Sequence, residues 1–132
     1  MARWIVLVSG VLGALGVILG AFGAHGLEDY LTKQSVAPDE ILKRAEQLDV
    51  AVQYHMLHVL ATLAIGLVTL KGKARYVACL FFYLGIVLFS GGLYSMVFLG
   101  VMGHWAIVPS GGLCFIIGWI CTCFICLQPK DS

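Results

Sequence analysis

Three long stretches of this sequence contain no aspartate, glutamate, lysine or arginine, and they constrain the fold more than any other feature. They run over residues 4–27, 50–70 and 76–129. A helix that crosses the hydrocarbon core of a bilayer needs about 20 apolar residues, so the first two stretches each fit one crossing and the third fits two. Glycines and Pro109 punctuate the third stretch near its middle.

The stretches predict an all-α integral membrane protein, a four-helix transmembrane bundle formed by one domain over residues 1–132. Charged residues make up only 11% of the chain, against about 25% in a soluble domain. No segment alternates apolar and polar residues as a membrane barrel would. The first apolar run is longer than the core of a signal peptide, about 7–15 residues, so we expect it to be retained. The predicted crossings lie near residues 4–24, 50–70, 76–99 and 107–127.

Charge asymmetry predicts the orientation of the bundle. With four crossings, one side carries the basic residues Arg3, Lys71, Lys73, Arg75 and Lys130, while the other side carries an acidic segment, residues 28–49. The positive-inside rule then places both termini in the cytoplasm and residues 28–49 outside. The expected location is the plasma (inner) membrane of a bacterium, or a mitochondrial membrane if the source is eukaryotic.

The second half of the acidic segment has the pattern of a helix. Pro38 suits a first helical position, Asp39 and Glu40 suit the positive end of a helix dipole, and apolar residues follow at helical spacing. This pattern predicts either a short amphipathic helix between helices 1 and 2 or a plain extension of the second crossing. Both interpretations share one periodicity, so the sequence does not choose between them.

Small residues form a ridge along the first predicted helix. Gly13, Gly16, Gly20 and Gly23 recur at three- and four-residue spacing. In lipid, such residues let helix backbones approach closely. The ridge predicts packing inside the bundle, and a homo-oligomer or another membrane-protein partner is the alternative use of the same face.

Polar residues from all parts of the topology are predicted to share one layer in the outer half of the bundle. Polar groups in lipid need partners, because no water is available to satisfy them. We expect this layer to pack the bundle or to bind a lipid or a partner. The candidate residues are His25, Tyr54, His55, His58, Ser90 and Tyr94.

Other functions remain as alternatives. Two or three imidazoles, from His25, His55 and His58, could hold zinc, copper or haem, or relay protons. A small transporter ranks last, because no interrupted helix with coordinating groups is present. We expect a protein without a cofactor and without enzymatic activity, because no nucleophile–base pair, phosphate loop or paired carboxylate lies within a predicted span. No run of basic residues suggests that the chain binds nucleic acid.

We interpret the five cysteines as small apolar side chains that pack between helices. Four of them fall at the predicted cytoplasmic ends of helices, where a reducing compartment disfavours disulfides, and Cys114 lies in the outer half. Cys123 and Cys126 form a C-x-x-C motif inside an apolar helix. A redox or metal-binding role would require an accessible thiolate at this motif.

Several of these segments together resemble the DUF423 family of small membrane proteins, whose eukaryotic relatives are called transmembrane protein 256. The similar segments run in order over nearly the whole chain: GAFGAHGL at 20–27, YHMLH at 54–58, FSGGLY at 89–94, PSGG at 109–112 and GW at 118–119. Two positions depart from the family pattern, which more often has Ser at Gly92 and Ile at Ser110. The resemblance implies the same membrane bundle and no established activity, and it assigns no catalytic residue.

Overall fold

The computed structural model describes residues 2–68, 72–101 and 106–127, and its described part is built of helices. Four of them are long and apolar enough to cross a membrane. Helix α1 is Arg3–His25, α2 is Leu27–Lys33, α3 is Pro38–Leu67, α4 is Ala74–Leu99 and α5 is Ile107–Cys123, with a 3-10 turn at Ile125–Leu127. The predicted all-α membrane bundle is therefore confirmed. Residues 69–71, 102–105 and 128–132, which include Lys71 and Lys130, lie outside the described residues.

The boundaries of α3 decide between the two predictions for the acidic segment. Pro38 stands at the first helical position, Asp39 and Glu40 fill the first turn, and the helix then continues without interruption to Leu67. Residues 38–49 are thus an extension of the second crossing. The short helix between the first two crossings is α2 instead, whose buried Leu27 and Leu31 pack in a cluster with Leu48 and Val97.

Helix α4 contains a π-helical turn at Ile86–Ser90 and ends where Gly100 adopts a left-handed backbone, with φ of 62°. The side chain of Arg44 approaches this glycine and donates a hydrogen bond from Nη1 to the Val97 carbonyl at 3.3 Å. The extramembrane turns of α3 are thereby attached to the end of α4.

Helices α3 and α4 lie side by side in the middle of the bundle, with α1 packed mainly on α3 and α5 packed mainly on α4. The predicted glycine ridge faces α3 within the same chain. A Cβ atom added at Gly13, Gly16, Gly20 or Gly23 would meet Val59, Met56, Val52 or Leu48 respectively. We call the end of the bundle that carries residues 28–49 the acidic end, and the opposite end, with Arg3, Lys73 and Arg75, the basic end.

Candidate functional site

The two histidines of α3 are buried but point into different interfaces. His55 is 1% exposed and His58 is 2% exposed. His55 lies against α1 and α4, where its Nδ1 shares a hydrogen bond of 2.9 Å with the Tyr94 hydroxyl. Its Nε2 is buried and has no hydrogen-bond partner within the described residues.

His58 faces α5 and has both nitrogens occupied. Its Nδ1–H donates to the carbonyl oxygen of Tyr54 at 2.7 Å, so its Nε2 is the acceptor for the indole N–H of Trp119, at 3.2 Å. The ring stacks flat on Phe115, with 3.5 Å between ring centroids and 6° between the planes. These contacts hold the imidazole as one neutral tautomer, which suits packing rather than proton transfer.

The predicted layer is therefore only partly assembled. The structure brings His55 to Tyr94, and it places Ser90 one turn away, where its hydroxyl donates to the Ala51 carbonyl at 2.9 Å. Tyr54 and His58 belong to an aromatic group on the α5 side. Our expectation of one cluster is wrong for His25: it is exposed, nine residues from Gly16 and so about 14 Å along α1 from the glycine that meets the His55 ring.

The structure also separates the residues of the alternative metal site. His25, His55 and His58 face three different surroundings, and within the described ranges no group of three or more histidine, cysteine, aspartate or glutamate side chains converges. The five cysteines are all free.

A second polar cluster lies nearer the basic end and was not predicted from the sequence. The Ser9 hydroxyl lies 2.8 Å from the Thr62 hydroxyl and 3.2 Å from that of Tyr83, which donates to the Ile5 carbonyl at 3.2 Å. It joins α1, α3 and α4. Isolated hydroxyl residues in apolar helices carry no spacing signal, so only the neighbouring helices reveal the cluster.

An apolar groove lies between α3 and α5, beside the buried His58. Its volume is about 600 Å³, within the range of sites for small molecules. The groove is lined by the hydrogen-bonded side chains of Trp119 and His58, and most of its remaining surface is aromatic or aliphatic. The lining consists of Tyr54, Leu57, His58, Phe89, Pro109, Gly112, Leu113, Phe115, Ile116 and Trp119.

The groove opens on the lipid-facing side and has the length of one leaflet. Leu57, Leu113 and Ile116 are each more than half exposed. Pro109 and Trp119 are ten residues apart on α5, which corresponds to about 15 Å of helix. The hydrocarbon core of a bilayer is about 30 Å thick, so half of it matches this length.

Comparisons with known proteins agree with a membrane protein. The family model described as "Protein of unknown function (DUF423)" matches residues 19–112. A UPF0382 membrane protein of Staphylococcus epidermidis is 41% identical over 83% of this chain and 87% of its own length. One from Haemophilus influenzae is 33% identical over 98% and 97%, and one from Schizosaccharomyces pombe is 36% identical over 85% and 92%. No solved structure matches.

Proposed function

The chain belongs to the DUF423 family of membrane proteins, which has no established function, and we propose that it is a non-enzymatic protein that holds a membrane-lipid chain in the groove between α3 and α5. One observation carries the proposal: the groove is apolar, open to the bilayer and as long as one leaflet. Lipid chains are the solvent on that side, so they are the molecules that reach such a groove first.

The walls of the groove support a site with fixed shape. Tyr54, Phe89 and Phe115 pack ring against ring, with centroids 4.8 Å apart for Tyr54 and Phe89 and 5.7 Å apart for Phe89 and Phe115. Rigid aromatic walls lose little freedom when a flexible chain lies on them, which lowers the cost of binding. The buried polar groups nearby are engaged in joining helices, and this favours a structural role for them over catalysis.

A matched pair of glycine substitutions tests the proposal. A Cβ atom at Gly112 would meet only Phe89, at 3.9 Å, so Gly112→Leu extends into the groove without a clash at its base. Gly10 has nothing within 4 Å of its added Cβ, so Gly10→Leu makes the same change on the open face of α1. Native mass spectrometry after exchange from lipid into detergent measures the lipid that remains bound.

We expect the wild type and Gly10→Leu to retain lipid. Gly112→Leu should retain at least about fivefold less, because the added leucine side chain occupies groove surface that the lipid chain would otherwise contact. A wild-type protein that retains no lipid, or an unchanged amount in Gly112→Leu, would overturn the proposal.

The orientation of the bundle is part of the proposal. The acidic end faces outward and both termini lie in the cytoplasm, since Arg3, Lys73 and Arg75 gather at the opposite end. In a variant without the native cysteines, a membrane-impermeant thiol reagent added to sealed cells should label Lys43→Cys and not Lys73→Cys. The reverse pattern would show that the bundle is inverted.

The alternative function, binding of a metal or haem, can be tested directly by elemental analysis and an absorption spectrum of the purified protein. Stoichiometric zinc, copper or haem that is lost in His55→Ala or His58→Ala would replace lipid binding as the preferred function.

A further inference from the structure

A second, smaller cavity continues the groove toward the acidic end. It has a volume of about 250 Å³ and is lined by Lys43, Glu46, Gln47, Val50 and Leu93. Val50 precedes the groove residue Tyr54 by four positions on α3, and Leu93 follows Phe89 by four on α4. Residues four apart share a helix face, so both central helices place this cavity one turn beyond the groove, in the same trough. We call it the headgroup cavity.

Its depth corresponds to the interface between hydrocarbon and water. The charge-free stretch of α3 begins at Val50, and Glu46 lies four residues further out, or about 6 Å. A bilayer has about 5–8 Å of headgroup region on each side of its hydrocarbon core. Glu46 and Gln47 therefore lie at headgroup depth when the groove lies in the acyl chains, and the long side chain of Lys43, which begins three residues further out, lines the same cavity.

The headgroup cavity carries both signs of charge. The Lys43 side chain is 58% exposed, with its Nζ 3.7 Å from the Glu40 carboxylate, so it remains accessible to an anionic group. Glu46 is exposed and forms no ion pair within the described part of the chain. A cation, an amide and an uncommitted carboxylate thus lie within one turn of α3.

We propose that the lipid in the groove carries a phosphoethanolamine headgroup, whose ammonium binds Glu46 and whose phosphate binds Lys43 and Gln47; this assignment rests on the proposed lipid-binding function. A purely anionic headgroup would place a second negative charge beside the Glu46 carboxylate and would supply no ammonium to bind it. A choline headgroup cannot donate a hydrogen bond to Glu46, and the headgroup cavity has no aromatic side chain among its lining residues to hold a quaternary ammonium.

Headgroup selection can be measured separately from retention of the chain. The purified protein is equilibrated with nanodiscs that contain equal parts phosphatidylethanolamine, phosphatidylcholine and phosphatidylglycerol with identical acyl chains. The lipids that remain bound after detergent exchange are then identified by native mass spectrometry. Glu46→Gln and Lys43→Gln test the two contacts, while Glu28→Gln and Lys33→Gln make the same changes on the same end of the bundle but outside the trough.

We expect the wild type and both control variants to enrich phosphatidylethanolamine about tenfold, which corresponds to ~1.4 kcal/mol of selectivity. Glu46→Gln should lower the preference for ethanolamine over choline to about twofold or less, and Lys43→Gln should weaken retention of all three headgroups. Each of these substitutions lies on an exposed helix surface, so folding should be unaffected.

The outcomes separate the two proposals. Lipid that is retained, and lost in Gly112→Leu, but that shows no headgroup preference or an unchanged one in Glu46→Gln, would overturn the phosphoethanolamine assignment and leave the groove as a chain site. Lipid retention that does not depend on Gly112 would overturn both.

Discussion

Two helix interfaces in this bundle use glycine in different ways. In the α1–α3 interface most of the glycines lie on α1, and aliphatic side chains of α3 fill the space above them. Gly66 of α3 likewise receives aliphatic side chains of α1. In the α4–α5 interface two glycines on opposite helices receive phenylalanine rings: Phe115 of α5 lies over Gly85 of α4, and Phe82 of α4 lies over Gly118 of α5. Flexible aliphatic chains can adjust to a change, whereas interlocked rings and backbone cannot. We therefore call the α1–α3 contact the adaptable interface and the α4–α5 contact the rigid interface.

This difference matters for the groove, because its walls belong to the rigid interface. Phe89 and Phe115 are fixed where α4 and α5 interlock, and Trp119 packs edge-on against Phe82, with centroids 5.1 Å apart. The α1–α3 interface contributes no lining residue to the groove. Substitutions in the α4–α5 interface should therefore alter both stability and lipid retention, and those in the α1–α3 interface should alter stability alone.

The largest effect is expected at Gly111. A Cβ atom there would overlap the backbone nitrogen of Phe89 and lie 2.7 Å from its Cβ, within the π-helical turn of α4. Backbone cannot move aside as a side chain can, so Gly111→Ala should lower the free energy of unfolding by about 3 kcal/mol. Steric-trap unfolding in bicelles measures this value. A loss below about 1 kcal/mol would mean that the two helices separate easily, contrary to the rigid interface.

A smaller effect is expected at Gly16, the corresponding position of the adaptable interface. The added Cβ would meet the thioether end of Met56, a side chain with several rotatable bonds. Gly16→Ala should cost about 1 kcal/mol or less, because Met56 can change rotamer and alanine favours a helix more than glycine. Gly10→Ala serves as the control, since nothing surrounds its added Cβ. Equal costs at Gly16 and Gly111 would remove the distinction between the interfaces.

The sequence was sufficient for the crossings and for the α1 ridge, but not for the α4–α5 interface. Charge-free length and the spacing of glycines along one helix are local features that can be read directly. The pairing of Gly85 with Phe115 depends on which helices are neighbours and at what register, and neither is encoded in local spacing. The prediction that His55 and His58 share one surrounding failed for the same reason. Positions three apart differ by about 60° around a helix, and on the central helix α3 that rotation is enough to reach two different neighbours.

The smallest effect is expected at the hydrogen bond between Tyr94 and His55, which belongs to the α3–α4 contact at the edge of the adaptable interface. Tyr94→Phe keeps the ring and removes the hydroxyl that lies 2.9 Å from His55 Nδ1. Hydrogen bonds between membrane helices average about 0.6 kcal/mol, so the loss of stability should be of that size.

Tyr30→Phe is the matched control, because its ring packs on Phe22 and Phe98 and its hydroxyl has no hydrogen bond within the described residues. Since Tyr94 does not line the groove, the amount of retained lipid should stay at the wild-type level. A Tyr94→Phe protein that unfolds like the control would show that His55 is held by packing alone, whereas one that loses its lipid would show that the His55 side of α3 and the groove are coupled.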